Sequence, residues 1–183
     1  DTGQQSTTYA YNAAGDLTSV TDPVGNQTIM QYDMLGRKTS MTDPDMGYWT
    51  YAYDDSGNLL QQIDAKGQRI DFTYDELNRV LTKSYYQLPD ASVVYAYDNA
   101  TVSNGTGRLH SITKGSVVKT NDEYDAMGRV ISESKTIDGV TYTTSYGYDL
   151  SGKQTQMTYP DNYQVNRIYY PGTNLLQKVY GAS

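Results

Sequence analysis

The stretch Tyr32-Asp33-Met34-Leu35-Gly36-Arg37 carries, within six residues, the signals expected for the end of a strand, a turn and the start of a returning strand. The Asp33 side chain can accept hydrogen bonds from backbone N–H groups two residues on, and Gly36 tolerates a left-handed backbone. Met30 stands two positions before Tyr32, so both large side chains share one face of the strand. The stretch therefore predicts a β-hairpin whose short loop is a type I turn closed by a left-handed residue, with a β-bulge.

This pattern recurs along the chain, counted from the tyrosine before each turn. The anchor tyrosines are spaced by 21, 21, 21, 23, 27, 24 and 22 residues: Tyr11, Tyr32, Tyr53, Tyr74, Tyr97, Tyr124, Tyr148 and Tyr170. An aspartate follows most of them: Asp33, Asp54, Asp75, Asp98, Asp125 and Asp149. The left-handed position is occupied by glycine or asparagine: Gly15, Gly36, Gly57, Asn78, Gly128, Gly152 and Asn174. A cation comes next in several copies: Arg37, Arg79, Arg108, Arg129 and Lys153.

Each copy of the pattern is predicted to form one hairpin, which is joined to the next by a second turn such as Asp22-Pro23-Val24-Gly25. A lone hairpin is unstable in water, so the copies must pair edge to edge. The predicted fold is all-β: about eight tandem hairpins forming one continuous curved or spiralling antiparallel sheet. We interpret residues 1–183 as a single repeat region, in which the irregular stretches 87–91 and 99–106 are lengthened loops on one rim.

Composition supports this interpretation and excludes several classes of protein. Tyrosine, with 20 residues against one Phe and one Trp, is the main large side chain, which suits strands with a thin or hydrated core. The chain lacks cysteine, which excludes disulfides and cysteine-ligated zinc. A net charge of −7 argues against nucleic-acid binding, and no apolar run is long enough to span a membrane. No signal peptide or initiator Met is visible, so we expect a fragment of a larger protein.

The repeats strongly resemble the YD repeats of the RHS (rearrangement hot spot) family. The family pattern Tyr-Asp-x-x-Gly-Arg is intact at 32–37 and at 124–129, and residues 74–79 have Asn78 in place of glycine. Asp22-Pro23-Val24-Gly25 resembles the motif between repeats of that family. The resemblance covers roughly residues 7–180, with seven or eight copies in register.

The resemblance implies a structural role in a large secreted or cell-surface bacterial protein. RHS and YD proteins include polymorphic toxins and insecticidal toxin-complex components, and the related shell of animal teneurins is adhesive. Their hairpins wind into a hollow β-shell around a C-terminal toxin domain. Some members cleave themselves at a C-terminal Asp-Pro-x-Gly-Leu signature, but here Asn26 follows Gly25 near the start of the repeats, so no protease residues are assigned.

The expected width of the sheet also indicates that the chain forms only part of a wall. Sixteen strands at about 4.8 Å each form a sheet about 75 Å wide, which closes into a ring only about 25 Å across. A cargo domain of about 100 residues spans over about 30 Å. The expected partners are therefore flanking repeats of the same parent protein and an enclosed toxin domain.

The residues give less support to a metal-binding, catalytic or anion-binding site. The turn aspartates could bind calcium, but turn geometry explains them without metal and neighbouring repeats are too far apart to share an ion. His110, the single histidine, has no evident triad partners, and the cations after the turns are explained by pairing with the turn aspartates. We predict no catalytic residue, cofactor or metal.

Two functional hypotheses remain. The first is a non-enzymatic segment of an RHS shell that encapsulates or presents a toxin. The second is an adhesion module that binds carbohydrate or protein at the cell surface, for which Tyr48, Trp49 and Tyr51 form the best ligand patch because flat amphipathic rings stack on sugars.

Overall fold

The structure, a computed structural model, describes residues 5–182, which form two compact units divided between Ser92 and Val93. The first unit contains eight strands: β1 (Thr8–Tyr11), β2 (Leu17–Thr21), β3 (Gln27–Tyr32), β4 (Lys38–Asp43), β5 (Gly47–Tyr53), β6 (Leu59–Ile63), β7 (Arg69–Tyr74) and β8 (Val80–Tyr85). The second contains eight more: β9 (Val93–Tyr97), β10 (Leu109–Lys114), β11 (Val117–Tyr124), β12 (Val130–Ile137), β13 (Val140–Tyr148), β14 (Gln154–Thr158), β15 (Gln164–Tyr169) and β16 (Leu176–Ala182). Within the described part of the chain, the helical content is one 3₁₀ turn, Pro89–Ala91.

Strand pairing follows the order of the chain within each unit, and every pair is antiparallel. The register shifts just before the anchor turns, as between Gln31 and Tyr32 and between Ala52 and Tyr53, which is the bulge that the Asp-x-x-Gly pattern predicts. The predicted fold class is confirmed, because the described residues form an open, all-β arrangement of sixteen antiparallel strands in tandem hairpins.

The sheet of the first unit has two chemically different faces. Their members follow from the strand register, because directly opposed residues share a face. One face, here called the aromatic face, carries Tyr51, Gln62, Ile70 and Tyr85 in successive register on β5 to β8. The other, the polar face, carries mainly small or polar side chains, as in the row Ala52, Gln61, Asp71 and Ser84, although Tyr48 also projects from it. The alternation within β5 to β8 therefore places most of the large apolar side chains on the aromatic face.

Few side chains are completely removed from water, although many in the strands are half-buried, as expected for single-layer sheets. Among the described residues, Tyr124 at 6% exposure is the one buried apolar side chain, while Ser40 and Asn121 are the buried polar ones. Hydrophobic burial alone cannot hold such a chain together. Stability must come largely from backbone ladders and from side-chain contacts between neighbouring strands.

The two irregular stretches are loops, but they do not occupy the same kind of position. Residues 87–91 follow β8, at the hairpin end opposite the anchor turns, whereas residues 99–106 lengthen the anchor turn after Tyr97. The first stretch therefore joins two hairpins, and the second lies within one hairpin of the second unit.

Candidate functional site

The turn at Asp33 is a small ring closed by one carboxylate. Its Oδ1 accepts hydrogen bonds from the backbone N–H groups of Leu35 and Arg37, at 2.9 and 3.0 Å. Gly36 donates its N–H to the Asp33 carbonyl at 3.1 Å and has a φ of +74°. A residue with a Cβ pays a steric cost in that conformation, which explains the glycine.

The same ring recurs at the other anchor turns. Asp75 and Asp125 accept from backbone N–H groups two and four residues on, as Asp33 does. Asn78 adopts a φ of +60° in place of glycine, as predicted. Asn12 shows that an amide oxygen can replace the carboxylate, because it accepts the equivalent bonds from Ala14 and Asp16.

The cation after the turn joins one repeat to the next. The Arg37 Nε donates to Asp33 Oδ2 at 2.7 Å within its own turn, as the sequence predicts. Its Nη1 also donates to the Asp54 carbonyl at 2.6 Å, and its guanidinium lies 5.0 Å from the ring centre of Tyr53. One side chain thus makes an ion pair, a hydrogen bond and a cation–π contact across two repeats.

Arg129 makes the same set of contacts, and Lys153 makes a similar set in which its hydrogen bond goes to the Thr173 carbonyl. Arg129 pairs with Asp125 at 2.6 Å, donates to the Asp149 carbonyl at 3.1 Å and lies 4.7 Å from the Tyr148 ring centre. Lys153 pairs with Asp149 at 3.4 Å and lies 5.3 Å from the Tyr169 ring centre. We call this set, a turn aspartate, its cation and the next anchor tyrosine, the turn latch.

The anchor tyrosine also bonds the preceding repeat through its hydroxyl, both in the turn latches and after the third turn, where Asn58 takes the place of the cation. Tyr53 donates to the Lys38 carbonyl at 2.9 Å, and Tyr74 donates to the Leu59 carbonyl at 2.9 Å. The same bond is made by Tyr148 to Val130 and by Tyr169 to Gln154, at 3.1 and 3.0 Å. In each case the ladder between the two strands has already ended, so the hydroxyl bridges the point where neighbouring hairpins diverge.

Two anchors differ from the predicted pattern. In the last copy, Tyr169 and not Tyr170 ends β15, and the left-handed residue is Gly172, with a φ of +71°, instead of Asn174. The prediction of Tyr170 was wrong because Pro171-Gly172 forms its own turn, closed by a bond from Thr173 N–H to the Tyr170 carbonyl. In the second copy, the Tyr32 hydroxyl lies 3.8 Å from the Met30 sulfur.

The connections between hairpins reuse the anchor-turn chemistry. Asp22 Oδ1 accepts from the N–H groups of Val24 and Asn26, and its Oδ2 accepts from the Asn26 amide. Asp64 Oδ1 likewise accepts from Lys66 and Gln68. Both ends of the hairpins are therefore fixed by aspartates whose oxygens are committed to the backbone, which leaves few free carboxylate oxygens for other chemistry.

These bonds lower the pKa of the turn carboxyls. The backbone N–H and then the guanidinium of Arg37 hold the pKa of Asp33 below its usual value, and Arg129 acts in the same way on Asp125. At Asp149 burial opposes ionisation, but bonds from Ser151 and Lys153 outweigh it and lower the pKa to about 2. The turn aspartates are thus negatively charged acceptors throughout the neutral range.

The lengthened fifth loop covers the next anchor. Ser103 accepts a hydrogen bond from the Tyr124 N–H, and the Asn104 amide donates to the Tyr124 carbonyl at 2.9 Å. Beneath the loop, the Asn121 amide donates to the Leu109 carbonyl and to the Tyr124 hydroxyl, at 2.9 and 2.8 Å. The insertion therefore makes Tyr124 the most buried aromatic ring among the described residues.

The remaining candidates are placed as follows. Tyr97 and Asp98 lie at the fifth anchor turn, where Asp98 N–H donates to the Arg108 carbonyl. His110 Nε2 lies 3.0 Å from the Asn99 amide nitrogen, beside the inserted loop.

In the predicted ligand patch, Trp49 and Tyr51 share one face of β5, while Tyr48 projects from the other and is 56% exposed. The structure therefore does not bring the three rings of the patch together.

Within residues 5–182, no three acidic or histidine side chains come together as a metal-binding cluster. The same part of the chain contains no helix long and apolar enough to cross a membrane.

Comparison with known proteins connects this architecture with a protein family. The family model described as RHS Repeat matches residues 11–45, 53–86 and 124–164, which together make up more than half of the chain. A search of curated proteins found no match.

Several solved structures share the fold. The chain is similar to a crystal structure of TcdB2-TccC3, with a TM-score of 0.83 and 18% identity over 98% of this chain and 11% of the other. A TcdB2-TccC3-Cdc42 crystal structure gives 0.82 and 17%, over 98% and 10%. A mutant Photorhabdus luminescens Tc holotoxin pore gives 0.80 and 17%, over 96% and 10%. The chain spans about a tenth of the length of these structures.

Proposed function

The chain belongs to the RHS repeat family, and from that premise we propose that it is a non-enzymatic wall segment of a β-shell that encloses or presents a toxin domain in a larger secreted bacterial protein. The observation that carries the proposal is the turn latch. In each latch the carboxylate, the cation and the hydroxyl together join one hairpin to the next, as in Asp33, Arg37 and Tyr53. Such a chain builds surface area instead of a catalytic cleft.

The near absence of buried side chains supports a wall. A globular enzyme of this length packs elements around a hydrophobic core, whereas here the sheets have two accessible faces. A wall that separates two compartments needs two such faces. One of the similar structures, which shares the fold at 17% identity, is a Photorhabdus luminescens Tc holotoxin pore, and this favours a toxin as the enclosed domain.

Size supports a segment that works with flanking repeats. A sheet of about 75 Å closes into a ring too narrow for a folded cargo domain, so more strands are needed. The terminal strand β16 has every described position exposed and offers unpaired backbone groups on one side. Further repeats of the same parent protein are the proposed occupants of such edges.

Protease protection of the parent protein tests the proposal. We expect the enclosed domain to resist a broad-specificity protease while the shell is intact, and to be digested when latches are removed by a paired Arg37→Ala and Arg129→Ala variant. A Lys114→Ala variant is the matched control, because Lys114 is exposed and lies outside the latches. Equal digestion of the domain in the intact parent and in the latch variant would contradict containment.

A further inference from the structure

The connection between β14 and β15 places two tyrosines side by side. Tyr159 and Tyr163 flank the turn 160–162, and the Tyr159 N–H donates to the Tyr163 carbonyl at 2.9 Å. Side chains at such a closing pair project from the same face of the hairpin. The two ring centres lie 6.5 Å apart, with an angle of 36° between the ring planes. The pair is therefore in direct aromatic contact.

The turn between the two tyrosines is fixed by its backbone. Pro160 restricts its own φ, and Asp161 Oδ1 accepts a hydrogen bond from the Tyr163 N–H at 3.0 Å. Asn162 adopts a φ of +67° and donates its N–H to the Tyr159 carbonyl at 2.9 Å. These bonds hold the two tyrosine backbones opposite each other, so the rings meet repeatedly even as their side chains rotate.

Both phenols are accessible and their hydroxyls are unoccupied. Tyr159 is 39% exposed and Tyr163 is 43% exposed. Within residues 5–182, no group forms a hydrogen bond with either hydroxyl. By contrast, the anchor hydroxyls of Tyr148 and Tyr169 donate to backbone carbonyls. The turn pair thus differs from the anchors, because nothing in the turn latches depends on its hydroxyls and solvent reaches both rings.

The rings also have room to approach each other. Beside them lies an open concavity of about 550 Å³, which Tyr142 and Val165 help to line. Exposed side chains change rotamer within picoseconds to nanoseconds, which is fast compared with chemical steps. Rotation into the concavity therefore brings ring carbons of Tyr159 and Tyr163 into contact without a change in the backbone.

The composition limits the covalent links that this chain can form. It contains 20 tyrosines and no cysteine, so a disulfide cannot join two of its strands. Oxidative coupling of two phenols is a reaction that tyrosines at this separation are placed to undergo.

We propose that Tyr159 and Tyr163 form an intramolecular dityrosine cross-link when hydrogen peroxide and a haem peroxidase act on the protein. Each phenol loses one electron and one proton, and the two radicals join through a bond between the ring carbons next to the oxygens. The hydrogen on each of these carbons then moves to its oxygen, which restores both phenols. Hydrogen peroxide takes up the two electrons and two protons and becomes two water molecules. The product staples β14 to β15, and this inference is independent of whether the shell contains a toxin.

Oxidation of the dilute 183-residue chain tests the proposal. The chain is treated with horseradish peroxidase and limiting hydrogen peroxide, and the monomer is isolated by size-exclusion chromatography in denaturant. We expect this monomer to show dityrosine fluorescence and a mass lower by two hydrogen atoms.

Peptide mapping then locates the bond. Trypsin cleaves after Lys153 and Arg167 and leaves both tyrosines in one peptide. An endoproteinase that cleaves before aspartate divides that peptide at Asp161, between the two rings. In the oxidised monomer the two halves should stay joined, whereas in the untreated chain they should separate.

Matched variants separate this pair from general tyrosine oxidation. Tyr163→Phe keeps the ring and removes a hydroxyl that has no partner in the protein, so the variant should fold, as checked by circular dichroism, and its monomer should lack dityrosine. Tyr86→Phe is the control, because Tyr86 is 70% exposed and belongs to the other unit. This control should give as much monomer dityrosine as the parent.

Two results would overturn the proposal. One is dityrosine found only in dimers and larger species, which would show that the chains couple by collision. The other is a cross-linked monomer whose peptide halves around Asp161 separate, or whose dityrosine persists in folded Tyr163→Phe, since either would place the bond between other tyrosines.

Discussion

The hydroxyl of Tyr53 donates to the carbonyl of Lys38 at 2.9 Å, two residues beyond the last ladder pair that joins β4 to β5, Ser40 with Thr50. Without this bond, the carbonyl would face the gap between diverging hairpins. The tyrosine thus belongs to one repeat by sequence and satisfies the backbone of the preceding one. This relationship recurs at Tyr74, Tyr148 and Tyr169, and it explains why tyrosine and not phenylalanine dominates the anchors.

Removal of that hydroxyl should have a measurable cost. For Tyr53→Phe we expect the free energy of unfolding to fall by about 0.5–1.5 kcal/mol, because one hydrogen bond is lost while the ring still contacts Arg37. For a chain of this size, each kcal/mol lowers the Tm by about 2–4 °C, which differential scanning calorimetry resolves. Tyr11→Phe is the control, since the Tyr11 ring is 61% exposed at the first anchor. Equal effects of both substitutions would contradict the bridging role.

The cation–π part of the turn latch can be isolated with a double-mutant cycle. Arg129→Ala and Tyr148→Leu, alone and combined, should show a coupling of about 0.5–1 kcal/mol, because the guanidinium lies 4.7 Å from the ring centre in a partly exposed setting. Urea unfolding of the four proteins gives the values. Additive effects, with no coupling, would show that the contact does not join the two repeats.

The left-handed turn position gives a test of local conformation. Gly57 has a φ of +89° and open space where a Cβ would project, so Gly57→Ala incurs only the backbone penalty of about 1–2 kcal/mol. Gly57→Asn should cost clearly less, because Asn78 adopts a φ of +60° at the equivalent position. Thermal melts of both variants compare them directly. A Gly57→Asn protein no more stable than Gly57→Ala would contradict the assignment of this position.

Acid should unfold the chain through its turn carboxyls. A carboxyl whose pKa is lowered on folding stabilises the protein fully above its unfolded pKa of about 4 and loses that contribution as the pH falls through its folded value. With Asp149 at about 2 and Asp33, Asp54, Asp75 and Asp125 also lowered, we expect the Tm to fall between about pH 4 and pH 2.

The control for this pH dependence is Asp149→Asn. The amide retains an oxygen acceptor, as Asn12 does in the first turn, but it cannot be protonated in this range. Its Tm at neutral pH should therefore be lower than that of the parent, and its loss between pH 4 and pH 2 should be smaller. A variant that loses as much stability on acidification as the parent would show that Asp149 is not one of the controlling groups.

Much of this fold could be predicted because the determinants are local. Asp33, Gly36 and Arg37 lie within one turn, and a fixed period reveals the copies. The link between repeats was harder to predict, because the Tyr53 hydroxyl meets a carbonyl 15 residues upstream and the register decides which one. The last anchor was misassigned since Tyr169 and Tyr170 are adjacent, and only the Pro171-Gly172 turn decides between them.

The grouping of Trp49 with Tyr85 could not be predicted from local pattern. Trp49 and Tyr85 line one groove on the aromatic face through the registers of three successive strand pairs, none of which is set by residues near Trp49 alone. Local alternation would have separated Tyr48 from Trp49, since neighbouring side chains on a strand face opposite ways. Likewise, only the path of the inserted loop shows that Tyr124 becomes buried.

The central claim is that latched hairpins make a wall that surrounds a space. The most direct measurement is an electron cryomicroscopy map of the longer protein that carries this chain. We predict that residues 5–182 form part of a single-layer sheet, with one face toward solvent and the other toward an internal cavity that holds a separate domain. A map in which both faces of these strands are packed against dense protein, with no cavity, would contradict it.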